Sequence, residues 1–354
     1  MAEGPMSVGG QAILEGVMMR SPHSLAVAVR RPNGEIVVKE DRWVSIWERA
    51  RFLRKPLLRG AVVLFESLHN GMKALTFSAE EAGRGLDAES PDAKDQAPLS
   101  DMALFGTILL SLAFGFALFA ALPHFLTWLA GTVLGNASLA SGKDLGFQIV
   151  DGILKIGVLV GYLALISRMP DIQRVFQYHG AEHKSIYCYE DGKALTVDNA
   201  RSYTTLHPRC GTSFLLITVV VSILLFSAVF PLLPTLSETK WLNQLAYVFI
   251  KVPLMFPVAG IAYEMTRLSA RHPGNPIVRV FTWPGLQLQH ITTREPDDTQ
   301  LEIALVALQM TLRREMALQA GVALQAQQEP VVFASYPAFV AATEPPVHGI
   351  ALAA

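Results

Sequence analysis

His179, Glu182 and His183 fall within one short string, Gln177-Tyr178-His179-Gly180-Ala181-Glu182-His183-Lys184. Two histidines four residues apart put both imidazoles on one side of a helix, about one turn apart. That spacing lets two ring nitrogens share one tetrahedral metal. Glu182 follows His179 by three residues on a neighbouring face, where it can ligate or act as a general base. The order H-x-x-E-H matches the inverted zinc-peptidase pattern. Gly180 argues the other way, because glycine is a poor interior residue for a helix.

A second string, His207-Pro208-Arg209-Cys210-Gly211, supplies two more residue types that bind zinc, and Arg209 would favour a thiolate at Cys210. Glu264, next to Tyr263, is a further candidate ligand. The competing reading is that these polar groups satisfy one another at a helix junction. A Cys210–His207 nucleophile pair is disfavoured by Pro208 and by the apolar run that starts just beyond.

The elements that must position these residues are membrane spans. The chain is 51% hydrophobic and 17% charged, against roughly 25% charged for an ordinary soluble domain. Four stretches, at about 102–130, 147–167, 212–233 and 245–263, are long and apolar enough to cross a bilayer, which takes about 20 helical residues. Thirteen Lys and Arg precede the first stretch, six lie in the 168–211 loop and six follow Tyr263. The two remaining loops hold one each, Lys143 and Lys240. Basic loops stay in the cytoplasm, so both termini and the 168–211 loop are expected there. The first residues lack the basic start and apolar run of a secretory signal, in keeping with that placement. The expected fold class is therefore a polytopic α-helical membrane protein of the cytoplasmic membrane.

Residues 1–56 read as a small β-rich cytoplasmic unit. Leu25–Val29 and Glu35–Val38 are short β-type runs joined by Arg31-Pro32-Asn33-Gly34, a hairpin turn, and residues 8–19 offer a third strand. A basic, aromatic lead and an apolar helix over 57–77 suit a segment lying in the membrane surface or re-entering it. Residues 78–100 read as a linker, 101–264 as the four-span domain and 265–327 as a cytoplasmic segment. Its last helix opens on a Thr299/Glu302 capping box. The tail 328–354 is expected to lack structure.

Inside the spans, Asp151 and Lys155 form an i,i+4 pair that is either functional or a neutralising ion pair, and Lys251 can snorkel. A transporter built on the pair would need oligomerisation, since four spans carry no evident inverted repeat. A net charge of −1 offers no field for a nucleic-acid partner. Two cysteines are too few for a disulfide framework. Gly9-Gly10-Gln11 matches the tripeptide of release factors, but in the wrong setting.

Taken together, Val8 to Arg20 (with Gln11, Glu15 and Arg20), Phe176 to Lys184, His207 to Phe214, Pro284 to Gln289 and Thr292 to Asp298 resemble the YqhQ-like family of bacterial membrane proteins. That is a domain-of-unknown-function family labelled a predicted metal-dependent enzyme. The resemblance covers about residues 6–310. The resemblance itself implies little chemistry; from the residues, a divalent metal, zinc expected, would be held by His179 and His183 with His207, Cys210 or Glu264 as third ligand, and Glu182 would be the catalytic group. Lys184 and Arg209 are further site candidates within the same motifs. A hydrolase acting on a lipid-linked or membrane-peptide substrate is expected, with a non-catalytic scaffold as the alternative and homo-oligomerisation open.

Overall fold

The computed structural model describes residues 6–84, 101–272, 275–322 and 329–343. The chain opens with four antiparallel strands, β1 (Gly9–Ile13), β2 (Gly16–Arg20), β3 (Ser24–Arg30) and β4 (Ile36–Arg42). The stretch 8–19 is a hairpin, not one strand, and Glu15 turns it with a φ of 51°. Gly34 closes the β3–β4 hairpin with a φ of 90°, a value glycine tolerates without cost.

The sheet is covered on both faces. Ile13, Leu25, Val27, Val29 and Val37 point to one side, against Ala74 and Phe77. Val17, Met19, Ala28 and Val38 point to the other, against Leu301, Ala304 and Leu308. That is why β3 reads as an unbroken apolar run.

A short helix, α1 (Ile46–Arg49), leads to α2 (Leu58–Gly83). The segment expected to lie in the membrane surface is thus longer than 57–77, and its C-terminal half packs on the sheet through Ala74 and Phe77. Residues 85–100 of the expected linker lie outside the described residues, while 78–83 continue the helix. Near its N-terminus α2 crosses a long later helix at Gly60, where an added Cβ would stand 2.8 Å from Gly260 Cα. Leu64, Phe65 and Leu68 are left exposed on its outer side.

The apolar bundle begins with α3 (Asp101–Phe116), a π-helical turn (Ala117–Ala121) and α4 (Leu122–Val133). After α5 (Ala137–Ala140) comes α6 (Leu145–Ile166). Polar helices α7 (Pro170–Glu190) and α8 (Val197–Arg201) precede α9 (Gly211–Val229) and the long α10 (Lys240–Arg271). Among the described residues four helices are long and apolar enough to cross a membrane: Leu109–Val133, Leu145–Ile166, Gly211–Leu232 and Lys240–Ser269.

Next, α11 (Pro276–Thr292) continues through Pro284 and Gly285, two residue types that ordinarily interrupt a helix. Gly285 lets α11 close on α9, since a Cβ there would meet Ser213 at 2.5 Å. Then α12 (Asp298–Gln319) is capped by Asp297 and Gln300 in a reciprocal box, not by Thr299 and Glu302. It lies between the sheet and α7, buried on most of its circumference.

The last surprise is in the tail expected to lack structure. Strand β5 (Val331–Phe333) pairs antiparallel with β4, and α13 (Tyr336–Ala342) buries Phe339 completely.

Candidate metal centre

Helix α7 does run through Gly180. Its glycine is required by a neighbour: a Cβ there would come within 2.1 Å of Arg294 O. The chain entering α12 lies directly against this turn, with Arg294 N–H donating to Phe176 O at 2.9 Å. Tertiary contact thus overrides the low helix propensity of glycine.

On that helix His179 and His183 face the N-terminus of α9, where Cys210 is the cap residue. His179, His183 and Cys210 each offer one ligand atom, all within 4.8 Å of one another. His179 Nε2 is 3.1 Å from Cys210 Sγ. Both histidines turn Nδ1 to a backbone carbonyl, His179 to Thr292 O at 2.8 Å and His183 to Thr205 O. A carbonyl only accepts, so each Nδ1 carries the proton and each Nε2 keeps a lone pair aimed inward. Carbonyls oriented in this way are the usual outer support of metal-binding histidines.

His183 Nε2 is buried and has no hydrogen-bond partner among the described residues. An orphaned acceptor beside a thiol and a second imidazole fits a soft divalent ion. Burial lowers the pKa of His183, keeping the ring neutral and free to ligate. Burial opposes ionisation of Cys210, but a proton carried by His183 toward Sγ, and then the Thr212 hydroxyl and amide, outweigh it and hold the thiol below its ordinary value; a bound ion would take the place of that proton. The partial positive charge at the N-terminus of α9 acts in the same direction.

The other candidates are placed differently. Glu182 is not one of the trio: its carboxyl group accepts from the Gly10 and Ala12 amides of edge strand β1, within electrostatic reach of His179 and Cys210. Its side chain fits only because residue 10 lacks a Cβ, which would stand 2.7 Å from Glu182 Cδ. Burial pushes its pKa up to about 8. His207 lies beside His183, ring centroids 5.5 Å apart, but its Nε2 points to Glu190 at 3.6 Å. Burial lowers its pKa to about 4. Glu264 is remote from the trio and forms a two-toothed ion pair with Arg59.

Of the motif residues, Gln11 packs on Gly71 of α2. Glu15 pairs with Arg174 and accepts from Tyr178 OH. Arg20 stacks on Trp43 at 4.3 Å. Lys184 donates to Arg201 O and pairs with Glu295, while Arg209 pairs with Glu190.

Sequence reasoning missed Gln289. This fully buried amide accepts from His207 N–H and donates to His207 O and Ser213 Oγ, fixing the loop that delivers Cys210. Its presence in the Pro284–Gln289 string was the available signal. Thr292 likewise opens the Thr292–Asp298 string, whereas Thr205 lies in none.

A polar cavity of about 560 Å³ reaches residues next in sequence to the centre, though none of the trio lines it. Arg209, the residue before Cys210, and Gly9, the residue before Gly10, both line it, together with Arg20, Arg54, Glu66 and Tyr263.

Residues 55–314 match the family model described as "Protein of unknown function (DUF1385)". The chain belongs to this family. Within DUF1385 it is similar to the uncharacterized protein YqhQ of Bacillus subtilis (strain 168), 34% identical over 322 residues, covering 88% of this chain and 94% of that protein. No solved structure matches. The DUF1385 match includes every member of the His179–His183–Cys210 trio, while β1 to β4 precede it and β5 follows it.

Proposed function

We propose that the chain is a metal-dependent, hydrolase-type enzyme at the cytoplasmic face of the membrane. The observation that carries this reading is the convergence of two imidazole Nε2 atoms and one Sγ in a buried trio. Two nitrogens and a sulfur are the donor set of a tetrahedral zinc site with one position left over, the arrangement catalytic zinc uses. When bound there, the ion would polarise a substrate oxygen and make a neighbouring water more acidic.

The chain's own groups have separable roles. Thr205 and Thr292 hold the rings. Glu182, with a pKa of about 8, can take up and return a proton near neutral pH. Arg20, Arg54 and Arg209 along the polar cavity favour an anionic substrate head, in keeping with a lipid-linked substrate. The membrane placement rests on the four apolar helices and on the basic residues gathered at the end of the bundle that adjoins the sheet.

A structural reading, in which the ion only ties α7 to α9, draws on one observation. His183 is 1% and Cys210 7% exposed, and structural sites are closed.

Metal content of the detergent-purified full chain, beside a His179→Ala/His183→Ala double variant, tests the centre. About one zinc per chain, lost in the variant, supports it; a parent that takes up neither zinc nor manganese refutes it. Replacing zinc by cobalt and adding azide then separates the readings. A changed visible spectrum means an open position and an enzyme, whereas an unchanged one means a structural tie.

A further inference from the structure

A second polar centre lies inside the bundle, away from the His/Cys trio. Lys251 does not snorkel: it is 2% exposed and donates to Asp151 Oδ2 at 2.8 Å. Lys155 donates to the same oxygen at 2.7 Å. Gln244, held by Ala140 O, presents its carbonyl oxygen to His124 Nε2 at 2.9 Å. That nitrogen therefore carries the ring proton, and Nδ1 accepts from Lys251 Nζ at 2.9 Å. His124 is neutral, so two lysine amines face one carboxylate, and among the described residues no second carboxylate meets either of them.

Beside these lysines is a cavity of about 270 Å³ lined by all four apolar helices. Its wall is almost wholly apolar and includes Phe116, Phe119, Phe226 and Met255, and Lys155 and Lys251 are the charged residues that reach it. The Thr218 and Ser222 hydroxyls at the wall are bonded back to their own helix, at 2.7 Å each. Polar recognition thus falls to the lysines. Val252 and Met255 at the rim are 46% and 42% exposed, so the cavity opens on the surface the bundle offers to lipid. Ser222 stands twelve residues along α9 from Cys210, about 18 Å at 1.5 Å per residue. The two centres are separate.

We propose that this cavity binds an anionic amphiphile, its carboxylate or phosphate head on Lys155 and Lys251 and its chain against the phenylalanines. Two intramembrane lysines sharing one carboxylate call for a partner, and an apolar slot open to lipid selects one with a hydrocarbon chain. The unsatisfied Asp151 Oδ1, buried with no partner among the described residues, leaves room for a protonated head as well.

The test uses the full chain in neutral detergent with palmitate, dodecyl phosphate and hexadecanol as probes. Both anionic probes are expected to bind near one per chain, at least tenfold tighter than hexadecanol. Whichever of the two is tighter identifies the head. Lys155→Gln should lose at least tenfold of that preference, and Lys155→Arg should restore it. Val252→Trp, which fills the slot from the lipid side and leaves every charge in place, should abolish binding while the thermal midpoint stays close to the parent's. Equal affinity for palmitate and hexadecanol, or binding unaffected by Val252→Trp, overturns the proposal.

Discussion

Gly180 Cα and Arg294 O are in backbone contact, so close that any side chain at 180 would strike the carbonyl, at 2.1 Å for Cβ. This contact fixes how the strand of chain before α12 lies across the histidine helix, and it brings Thr292 O onto His179.

Gly180→Ala should therefore destabilise the protein although alanine is the better helix former. Overpacking costs about 1–3 kcal/mol, and the opposing atom is backbone, so about 2 kcal/mol net should remain after the roughly 1 kcal/mol helix gain. Gly157→Ala on α6, where nothing lies within 4 Å of the added Cβ, should be neutral or mildly stabilising. Thermal unfolding of both variants is the check; like behaviour in the two would remove the packing argument.

Cys210→Ser should weaken zinc binding at least tenfold in a chelator competition, because it exchanges a soft ligand for a hard one. His207→Gln should keep the stoichiometry, since His207 Nε2 faces Glu190 and stands outside the trio. Loss of zinc in His207→Gln with retention in Cys210→Ser would reverse the assignment of ligands.

The two cysteines should differ in reactivity. Burial pushes the Cys188 thiol up to about 11, so at pH 8 only about one in a thousand is thiolate. In the folded chain a thiol reagent should leave Cys188 unmodified, and zinc should protect Cys210. Peptide mapping after alkylation with and without zinc reads this directly, and rapid labelling of Cys188 would contradict it.

Phe339→Ala should cost about 3–5 kcal/mol, because the ring is fully buried and stacks edge-on against Phe333 at 5.2 Å. Val332→Ala, at a side chain 44% exposed, should cost little. Limited proteolysis of the sheet region is the readout; equal protease resistance in the two would mean that β5 and α13 add nothing to the domain.

The spans were legible because a bilayer-crossing helix announces itself residue by residue, in composition alone. The hairpin at Arg31–Gly34 was legible through its turn residues. The trio was half legible: spacing on α7 put His179 and His183 together, and the charge alternation brought Cys210 to the same end. Glu264 was sorted with them by topology, which gives an end of a bundle but not a side. Lys251 was misread because a lone lysine in a span has no visible counter-ion until α6 and α10 pack. Strand β5 was invisible because three residues with one partner strand carry almost no period.

Strand β5 also orders events in time. The sheet begins before the first apolar helix and is closed by residues 331–333, after the last. Helix α12, its inner cover, is likewise made only after all four apolar helices have been synthesised. The face of the first strands that α12 covers must wait until nearly the whole chain has left the ribosome, a contact order that slows folding and exposes the nascent chain to aggregation. The apolar length of α2, which covers one face of that sheet early, then acts as its first shelter during synthesis.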